Sequence, residues 1–213
     1  MRENRMKNPW EMIPLEDYES HMRLDSVRQL QALNELMKGQ ISACPASKLM
    51  ILGVAGGNGL EHVRRGQFEK VYGVDVNAAY LEAARSRHPE LDGVLECLRV
   101  DLTREAGCLP KADMVIADLL VEYIGYECFQ NVVRQAEPRC VSCVIQLNTE
   151  EGWVSDSPYL HAFDGLEAVH CQMEEGELEH AMLAEGFRLA TRLEHGLPNG
   201  KKLVRLDFTR LPA

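Results

Sequence analysis

The stretch Lys48-Leu-Met-Ile-Leu-Gly-Val-Ala-Gly-Gly-Asn-Gly-Leu-Glu-His62 decides the fold of this chain. Its apolar run, Leu49 to Leu52, stops at a glycine-rich turn, Gly53 to Gly59, and a helix-like segment follows. A short apolar run that ends in a turn is typical of a buried parallel strand. Glycines in such a turn let backbone N–H groups approach a ligand closely, at the positive end of the next helix. The stretch therefore predicts a site for a nucleotide-like ligand.

An acidic residue ends the next apolar run, Val71 to Asp75. Asp75 follows Gly53 by roughly the 20 residues that bring a carboxylate to a ribose in Rossmann-like units. A carboxylate at the tip of the second strand can accept hydrogen bonds from both ribose hydroxyls, each worth roughly 1.5–3 kcal/mol. The alternative is that Asp75 only caps the helix that starts near Asn77.

The overall composition limits the class of protein. A chain of 213 residues suits one α/β domain with a substantial core. The net charge of −10, with 33 acidic against 23 basic residues and no Lys/Arg-rich stripe, argues against a nucleic acid as the partner. No run is long enough to span a bilayer, and the N-terminus has no apolar signal core. We therefore expect neither a nucleic-acid partner nor a membrane partner, and the sequence leaves the oligomeric state open.

The cysteines bear on compartment and metal binding. There are seven, an odd number, and Cys140 and Cys143 form the only C-x-x-C pair. Both lie in an apolar, strand-like run, which favours buried packing over a redox or metal site. The sequence thus predicts no metal site and a reducing, cytoplasmic compartment.

Strands and helices alternate through most of the chain. Strands are expected at 49–53, 71–75, 94–100, 113–118, 141–147, 187–195 and 202–208, and helices at 58–66, 77–87, 123–136 and 174–185. Alternation of this kind specifies a parallel sheet with helices on both faces. The last two strands are joined by only Gly196-Leu-Pro-Asn-Gly200, which implies an antiparallel hairpin. The predicted fold class is α/β, with a Rossmann-like, mostly parallel seven-stranded sheet and a C-terminal antiparallel hairpin.

Two segments are left over after the core elements are assigned. Residues 1–47 comprise a polar, loosely held arm and one amphipathic helix over about 17–38, and residues 48–213 form the ligand-binding domain. Residues 148–173 have no clear periodicity but carry several aromatic residues. Long irregular segments of this kind are often functional lids, although an ordinary surface excursion is the alternative.

The ordered motifs resemble those of the class I S-adenosylmethionine (SAM)-dependent methyltransferases, over about residues 48–210. The resemblance implies SAM as the cofactor and assigns a role to each motif. The glycine loop supplies Gly53, Val54, Ala55 and Gly57; the second strand supplies the ribose acid Asp75 and the adenine-wall residue Val76. After the third strand come Asp101 and Leu102, near the adenine amino group, and after the fourth come Asp118 and Leu119, beside the methionine moiety. Asp101 could instead only cap a turn into Leu102.

Two positions depart from the family pattern. Ala55 replaces the middle glycine of the loop, which is tolerated if the residue has a negative φ. Ile51 replaces an acidic residue that contacts the amino group of the cofactor in many members. The loop spacing Gly53-x-x-x-Gly57-x-Gly59 also fits short-chain dehydrogenases, but no tyrosine here is followed four residues later by lysine. An NAD(P)-dependent oxidoreductase is therefore the weaker hypothesis, and a SAM-binding protein without catalysis is another alternative.

The acceptor is sought just after the fourth strand. Glu122 and Tyr123 are the candidate catalytic residues, with a solvated first-turn acid as the alternative for Glu122. The family's Asn-Pro-Pro-Tyr motif, which marks amide and base nitrogen methylation, is absent, and this absence favours a small-molecule acceptor. We expect the N-terminal helix and residues 148–173 to cover the acceptor, with Tyr18, His21, Trp153 and Tyr159 as substrate-binding candidates.

Overall fold

The computed structural model describes residues 7–148, 154–155 and 157–212. Its centre is one seven-stranded sheet with the order β3-β2-β1-β4-β5-β7-β6. The strands are β1 Lys48–Leu52, β2 Lys70–Asp75, β3 Leu95–Arg99, β4 Met114–Asp118, β5 Cys140–Leu147, β6 Phe187–Gly196 and β7 Lys202–Arg210. The first five pair in parallel, and β7 pairs antiparallel with both β5 and β6. The predicted fold class, including the closing hairpin, is confirmed.

Helices cover both faces of the sheet. They are α1 Leu15–Arg23, α2 Gln29–Gln40, α3 Ala78–Arg87, α4 Leu102–Glu105, α5 Val121–Ala136 and α6 Glu175–Ala184. Alternate residues of β1 point to opposite faces, so Leu49 and Ile51 join the core under α2 and α3, and Met50 and Leu52 join the core under α4, α5 and α6. None of the helices described is both long and apolar enough to cross a membrane.

The helix expected at 58–66 does not form. The segment contains only a short 3₁₀ turn, Leu60–His62, because Gly57 and Gly59 have φ values of 88° and 93°, which no right-handed helix accommodates. The glycine loop is therefore not followed by an α-helix whose positive end could face a ligand. Helix α2 lies over this region instead, and its Met37 packs directly against Gly59.

The N-terminal segment also differs from expectation. The single helix expected at 17–38 is two helices, α1 and α2, separated by a turn in which Arg28 has a φ of 53°. The arm before them is not loosely held at residues 8–13. A 3₁₀ turn, Pro9–Met12, is capped by the Asn8 side chain, and Ile13 is buried. The side-chain amide of Asn77 fixes this turn by donating to the carbonyl of Trp10 at 3.0 Å.

The cysteine prediction needs one correction. Cys140 is joined by a disulfide to Cys44, with a Cα–Cα distance of 6.4 Å. Cys140 is therefore not a free packing thiol, whereas Cys143 is free and fully buried. The bond connects the segment after α2 to the first residue of β5. No local pattern predicts this contact, because the two cysteines are 96 residues apart.

Candidate functional site

The carboxylate of Asp75 fastens the glycine loop to the second strand. One oxygen accepts a hydrogen bond from the backbone N–H of Ala55 at 3.0 Å, and the other accepts one from the N–H of Asn77 at 2.8 Å. Asp75 is not the cap of α3, because the Asn77 side chain holds that position by accepting from Ala79. Burial raises the pKa of Asp75 to about 6, although the backbone N–H donors oppose this shift.

Ala55 has a φ of 47°, in the left-handed region. The condition under which the sequence made Ala55 tolerable, a negative φ, is therefore not met. The loop keeps the backbone shape that a glycine would give it, and Ala55 bears a conformational cost of roughly 1–2 kcal/mol for that.

A large crevice of about 400 Å³ opens above the carboxyl ends of β1, β2 and β4. Eight of the predicted cofactor residues line it: Gly53, Ala55, Asp75, Val76, Asp101, Leu102, Asp118 and Leu119. Val54 and Gly57 are not among its described lining residues. Val54 is buried in the core, and Gly57 holds the turn with a φ of 88°. Ligands of open α/β sheets bind at this edge.

Asp101 lines the crevice and also caps α4. Its Oδ1 accepts from the backbone N–H of Thr103 at 3.1 Å and from the Thr103 hydroxyl at 2.6 Å. The capping alternative raised by the sequence is thus real, and it coexists with a position in the crevice wall.

Asp118 ends β4 at the floor of the crevice. Its Oδ1 accepts a hydrogen bond from the Gln40 side chain at 2.7 Å, so helix α2 orients this carboxyl group. Its Oδ2 is buried and has no partner among the described residues. Burial is the main cause that raises the pKa of Asp118 to about 7. A carboxyl group in this state is suited to receive a donor from a ligand.

A second, smaller pocket of about 50 Å³ adjoins the crevice, and we call it the inner pocket. It brings together two pairs of residues that are far apart in the sequence: Tyr18 and His21 of α1, and Glu122 and Tyr123 of α5. Its described lining also includes Trp10, Met22, Gln29, Leu119, Gln146, Val154, Ser155, Phe163 and His170. Trp10, Tyr18, Leu119 and Tyr123 line both cavities, so they form the boundary between them.

Aromatic rings build that boundary. The Trp10 ring meets Tyr123 edge-on at a centroid distance of 4.8 Å and Tyr18 at 5.8 Å. Tyr18 in turn stacks on Tyr80 at 6.0 Å. Contacts of this kind hold ring orientations firmly. The N-terminal arm and α1 therefore supply one wall of both cavities.

Glu122 is buried, with 5% of its surface exposed, so the alternative of a solvated first-turn acid does not hold. Gly125 has a φ of 76° and interrupts α5 just after Glu122. The backbone carbonyl of Glu122 accepts a hydrogen bond from the backbone N–H of Cys171, which lies outside α5, at 2.7 Å. Glu122 Oε2 is buried and has no partner within the described part of the chain. Burial, and to a lesser degree Asp118, raises the pKa of Glu122 to about 8.

The two histidines of the inner pocket, His21 and His170, differ from His161, which does not line it. His21 Nδ1 lies 2.7 Å from the Ser157 hydroxyl. Burial, followed by the charge of Lys201, lowers the pKa of both His21 and His170, which keeps the two rings neutral. His161 is exposed, and its Nδ1 lies 3.4 Å from the Oδ2 of Asp164.

The segment 148–173 lies over the inner pocket where it is described. A 3₁₀ helix, Leu160–Leu166, buries Phe163 and Leu166 against Ile13 of the arm. Tyr159 packs on this cluster but is not among the described lining residues of either cavity. Trp153 lies outside the described residues.

Unpaired polar atoms concentrate at these two cavities. Within the described residues, the buried side-chain atoms without a partner include Trp10 Nε1, Tyr80 hydroxyl, Asp118 Oδ2 and Glu122 Oε2. All four residues line the crevice or the inner pocket. Buried polar groups in native proteins are normally satisfied, so their concentration here points to a bound ligand. Sequence reasoning missed Trp10 and Tyr80; an aromatic residue next to the Asn8-Pro9 turn signal was the available clue to Trp10.

Comparison with known proteins identifies the fold. No protein-family model and no curated protein sequence matches the chain. Among solved structures, the N-methyltransferase NodS from Bradyrhizobium japonicum WM9, in complex with S-adenosyl-L-homocysteine (SAH), aligns with a TM-score of 0.65 and 12% identity over 93% of this chain and 98% of NodS. Magnesium protoporphyrin IX methyltransferase from Synechocystis PCC 6803, with bound SAM, aligns with a TM-score of 0.61 and 13% identity over 91% and 83% of the two chains.

A third solved structure with a similar fold is named for a different activity. The [4+2]-cyclase SpnF aligns with a TM-score of 0.64 and 12% identity over 90% of this chain and 85% of SpnF. The chain therefore has the fold of the class I SAM-dependent methyltransferases, and function has to be argued from the site.

Proposed function

We propose that this protein is a SAM-dependent methyltransferase that binds SAM in the crevice and a small-molecule acceptor in the inner pocket. The observation that carries the proposal is the arrangement of the two cavities. Three carboxyl groups, those of Asp75, Asp101 and Asp118, line a crevice at the ligand-binding edge of the sheet, and this crevice shares a wall with a pocket that holds Glu122.

The residues of the crevice fit the parts of SAM. Asp75 is at the strand tip from which a carboxylate reaches ribose hydroxyls. Val76 and Leu102 offer apolar surface for the adenine, and Asp101 lies beside them. The unpaired Oδ2 of Asp118 can accept from the ammonium of the methionine moiety. This contact would replace the one lost through Ile51. A cavity of about 400 Å³ is of the size that holds small ligands.

The protein's contribution to the reaction is positioning and the exclusion of water. When bound, SAM supplies a methyl group that its sulfonium already activates. Trp10, Tyr18, Leu119 and Tyr123 line both cavities where these adjoin, so they can position the two ligands against each other and limit the access of water. Positioning of this kind can lower a barrier by roughly 7–11 kcal/mol. Glu122, inside the inner pocket, is the group that can take a proton from the acceptor.

The small acceptor is supported by the inner pocket itself. A volume of about 50 Å³ leaves room for a small polar group. Its described lining contains no lysine or arginine, and the whole chain has a net charge of −10. Both features disfavour the phosphate backbone of a nucleic acid.

Isothermal titration with SAM, SAH, NAD and NADP tests the cofactor. We expect SAM and SAH to bind and the two nicotinamide nucleotides not to bind. Preferential binding of NADP would refute the proposal. The acceptor class is tested by incubating the protein and SAM with pools of small metabolites or with total RNA and measuring SAH. Binding of SAM without SAH formation from any pool would support the alternative of a non-catalytic SAM-binding protein.

A further inference from the structure

The polarity of the inner pocket restricts what can bind there. Glu122 Oε2 is buried and without a partner among the described residues, so a ligand has to supply a donor to it. The amide pair in the same pocket is already engaged. Gln29 donates to Gln146, and Gln146 donates to Asn148 at 2.7 Å. Among the described lining residues, the buried side-chain acceptor without a partner is thus a carboxyl oxygen.

We infer that the inner pocket binds a protonated primary or secondary amine, that the amine donates to Glu122 Oε2, and that its nitrogen is the atom methylated. This inference rests on the proposed methyltransferase function and adds the chemical class of its acceptor.

Aromatic faces support a cationic ligand. Trp10, Tyr18, Tyr123 and Phe163 line the pocket around Glu122. A cation within about 6 Å of such a ring is stabilised by roughly 0.5–2 kcal/mol, and more when it is desolvated. A neutral hydroxyl gains nothing comparable from these rings. An anionic acceptor would meet a carboxyl group with no described lysine or arginine in the pocket lining.

Apart from Lys201, the charged and titratable groups named around the pocket favour a cation near Glu122. On the side of β4 and α5 are Asp118 and Tyr123, and α1 adds Tyr18. His21 on α1 and His170, whose ring lies 5.7 Å from that of Tyr123, complete this set. Burial, followed by the charge of Lys201, lowers the pKa of both histidines, which disfavours a positive charge on either ring beside the amine. A bound cation also favours ionised Glu122, whose charge is otherwise costly in this buried position.

The reaction balances with groups already named. The ammonium gives one proton to the carboxylate of Glu122, which leaves a lone pair on nitrogen. That lone pair forms the C–N bond to the methyl carbon, while the C–S bond breaks and its electron pair remains on sulfur as the thioether of SAH. The product is the N-methylated ammonium, and Glu122 returns its proton to solvent.

Three matched probes test the inference on the full chain: propylamine, 1-propanol and propionate. Their affinities are measured by NMR titration in the presence of SAH. We expect propylamine to bind at least about tenfold more tightly than the other two, as a charge-assisted hydrogen bond implies. Glu122→Gln should lower propylamine affinity about tenfold or more for the same reason. The control Glu127→Gln, an exposed acid on the same helix, should leave it unchanged.

A second readout does not depend on turnover. Calorimetry near neutral pH in two buffers of different ionisation enthalpy measures the protons released on binding. We expect release of up to about one proton from Glu122 when propylamine binds, and less release in Glu122→Gln. Equal affinities for propylamine and 1-propanol, or no difference between wild type and Glu122→Gln, would overturn the inference.

The outcomes separate this inference from the proposed function. SAH binding without selective propylamine binding refutes the amine acceptor and leaves the methyltransferase proposal intact. Propylamine binding without any SAH binding refutes the methyltransferase proposal, and with it the claim that the nitrogen is methylated. Selective propylamine binding together with transfer of an isotopically labelled methyl group to an amine in the metabolite pool supports both.

Discussion

At the scale of single residues, Asp75 acts on the protein before any ligand arrives. Its two oxygens hold the N–H groups of Ala55 and Asn77, and they also face the crevice. A residue with both roles affects binding and local structure together when it is removed. Two substitutions can distinguish the roles.

We expect Asp75→Ala to weaken SAH binding by roughly 2–4 kcal/mol, from the loss of two charge-assisted hydrogen bonds. Asp75→Asn keeps one acceptor oxygen for the loop but removes the charge, so its loss of SAH binding free energy should be intermediate between those of wild type and Asp75→Ala. Thermal unfolding of both variants provides the control for the fold, which should survive. A dissociation constant unchanged in Asp75→Ala would show that the carboxylate serves the loop alone.

Ala55 allows a test of backbone strain. Because its φ of 47° lies in the left-handed region, Ala55→Gly should stabilise the protein. We expect the free energy of unfolding to rise by roughly 0.5–1 kcal/mol. This is less than the full cost of the left-handed conformation, because glycine has a greater entropy in the unfolded chain. The matched control is Ala83→Gly inside α3, which should lose a similar amount. Differential scanning calorimetry measures both, and a lower melting temperature for Ala55→Gly would contradict the strain argument.

Glu122 should make the stability of the ligand-free protein depend on pH. Its folded-state pKa of about 8 is above the ordinary value of 4.5, so ionisation opposes folding. The stabilising effect of the neutral form is complete below about pH 4.5 and is lost as the pH rises through about 8. Glu122→Gln should therefore raise the melting temperature at about pH 9 and change it little at about pH 5. The same increase in melting temperature at both pH values would mean that folding does not raise the pKa of Glu122.

At the scale of elements, the sheet could be predicted from the sequence and its N-terminal cover could not. Strands such as β1 and β4 are short apolar runs between turn signals, and the short link 196–200 predicted the antiparallel hairpin of β6 and β7. The helix expected at 58–66 failed because Gly57 and Gly59 need positive φ values, a requirement that apolar spacing does not reveal. The role of Trp10 depends on tertiary contacts with Tyr18 and Tyr123, which no local pattern encodes.

The residues of the candidate site also divide into those that could be predicted from the sequence and those that could not. Asp75 was predicted from its place at the end of a strand, and Asp101 and Asp118 from the resemblance of their motifs to the methyltransferase family; all three line the crevice. Gln40 was not found, since its contact with Asp118 joins residues 78 positions apart. A helical glutamine also carries no signal of its own. Residues that complete the site from outside the sheet thus escape sequence reasoning.

We expect the elements that cover the inner pocket to respond to the cofactor. In hydrogen exchange, SAH should protect the glycine loop, the arm and α1 at residues 8–23, and the 3₁₀ helix at 160–166, because Trp10, Tyr18 and Phe163 connect these segments at the cavities. Helix α6, which contributes none of the described lining residues of either cavity, serves as the internal reference. Protection restricted to the glycine loop would count against a cover that senses the cofactor.

A direct test of that cover uses two aromatic positions. Trp10→Ala removes ring contacts at 4.8 Å and 5.8 Å, and Tyr18→Ala removes one side of the same boundary. We expect both to weaken acceptor binding, while Phe187→Leu, at a buried residue that is not among the described lining of either cavity, should affect stability alone. Acceptor affinity that is unchanged in Trp10→Ala and Tyr18→Ala would contradict the assignment of the pocket.

At the scale of the whole molecule, the two edges of the sheet have different roles. The carboxyl ends of the strands carry the crevice and the inner pocket, with several carboxyl groups whose pKa values are raised by burial. The amino ends carry structural ties. Asp113 accepts from the backbone N–H groups of Ser47 and Lys48 at 2.8 and 2.9 Å, and the disulfide of Cys44 and Cys140 is at the same edge. Stability and ligand binding should therefore be separable by mutation.

The disulfide provides the test of that separation. A bond between residues 96 positions apart closes a long loop, and its removal typically costs about 2–5 kcal/mol. Cys44→Ser should thus lower the melting temperature in non-reducing buffer, whereas dithiothreitol should remove the difference from wild type. Since Cys44 and Cys140 act as one unit, the double variant should be no less stable than either single variant.

Cys108→Ser, at an exposed free cysteine, is the control for these variants. In Cys44→Ser the SAH affinity should stay within about twofold of wild type, because the bond is distant from the crevice. Additive losses, or a loss that persists in dithiothreitol, would mean that the two cysteines contribute by packing and not as a bond.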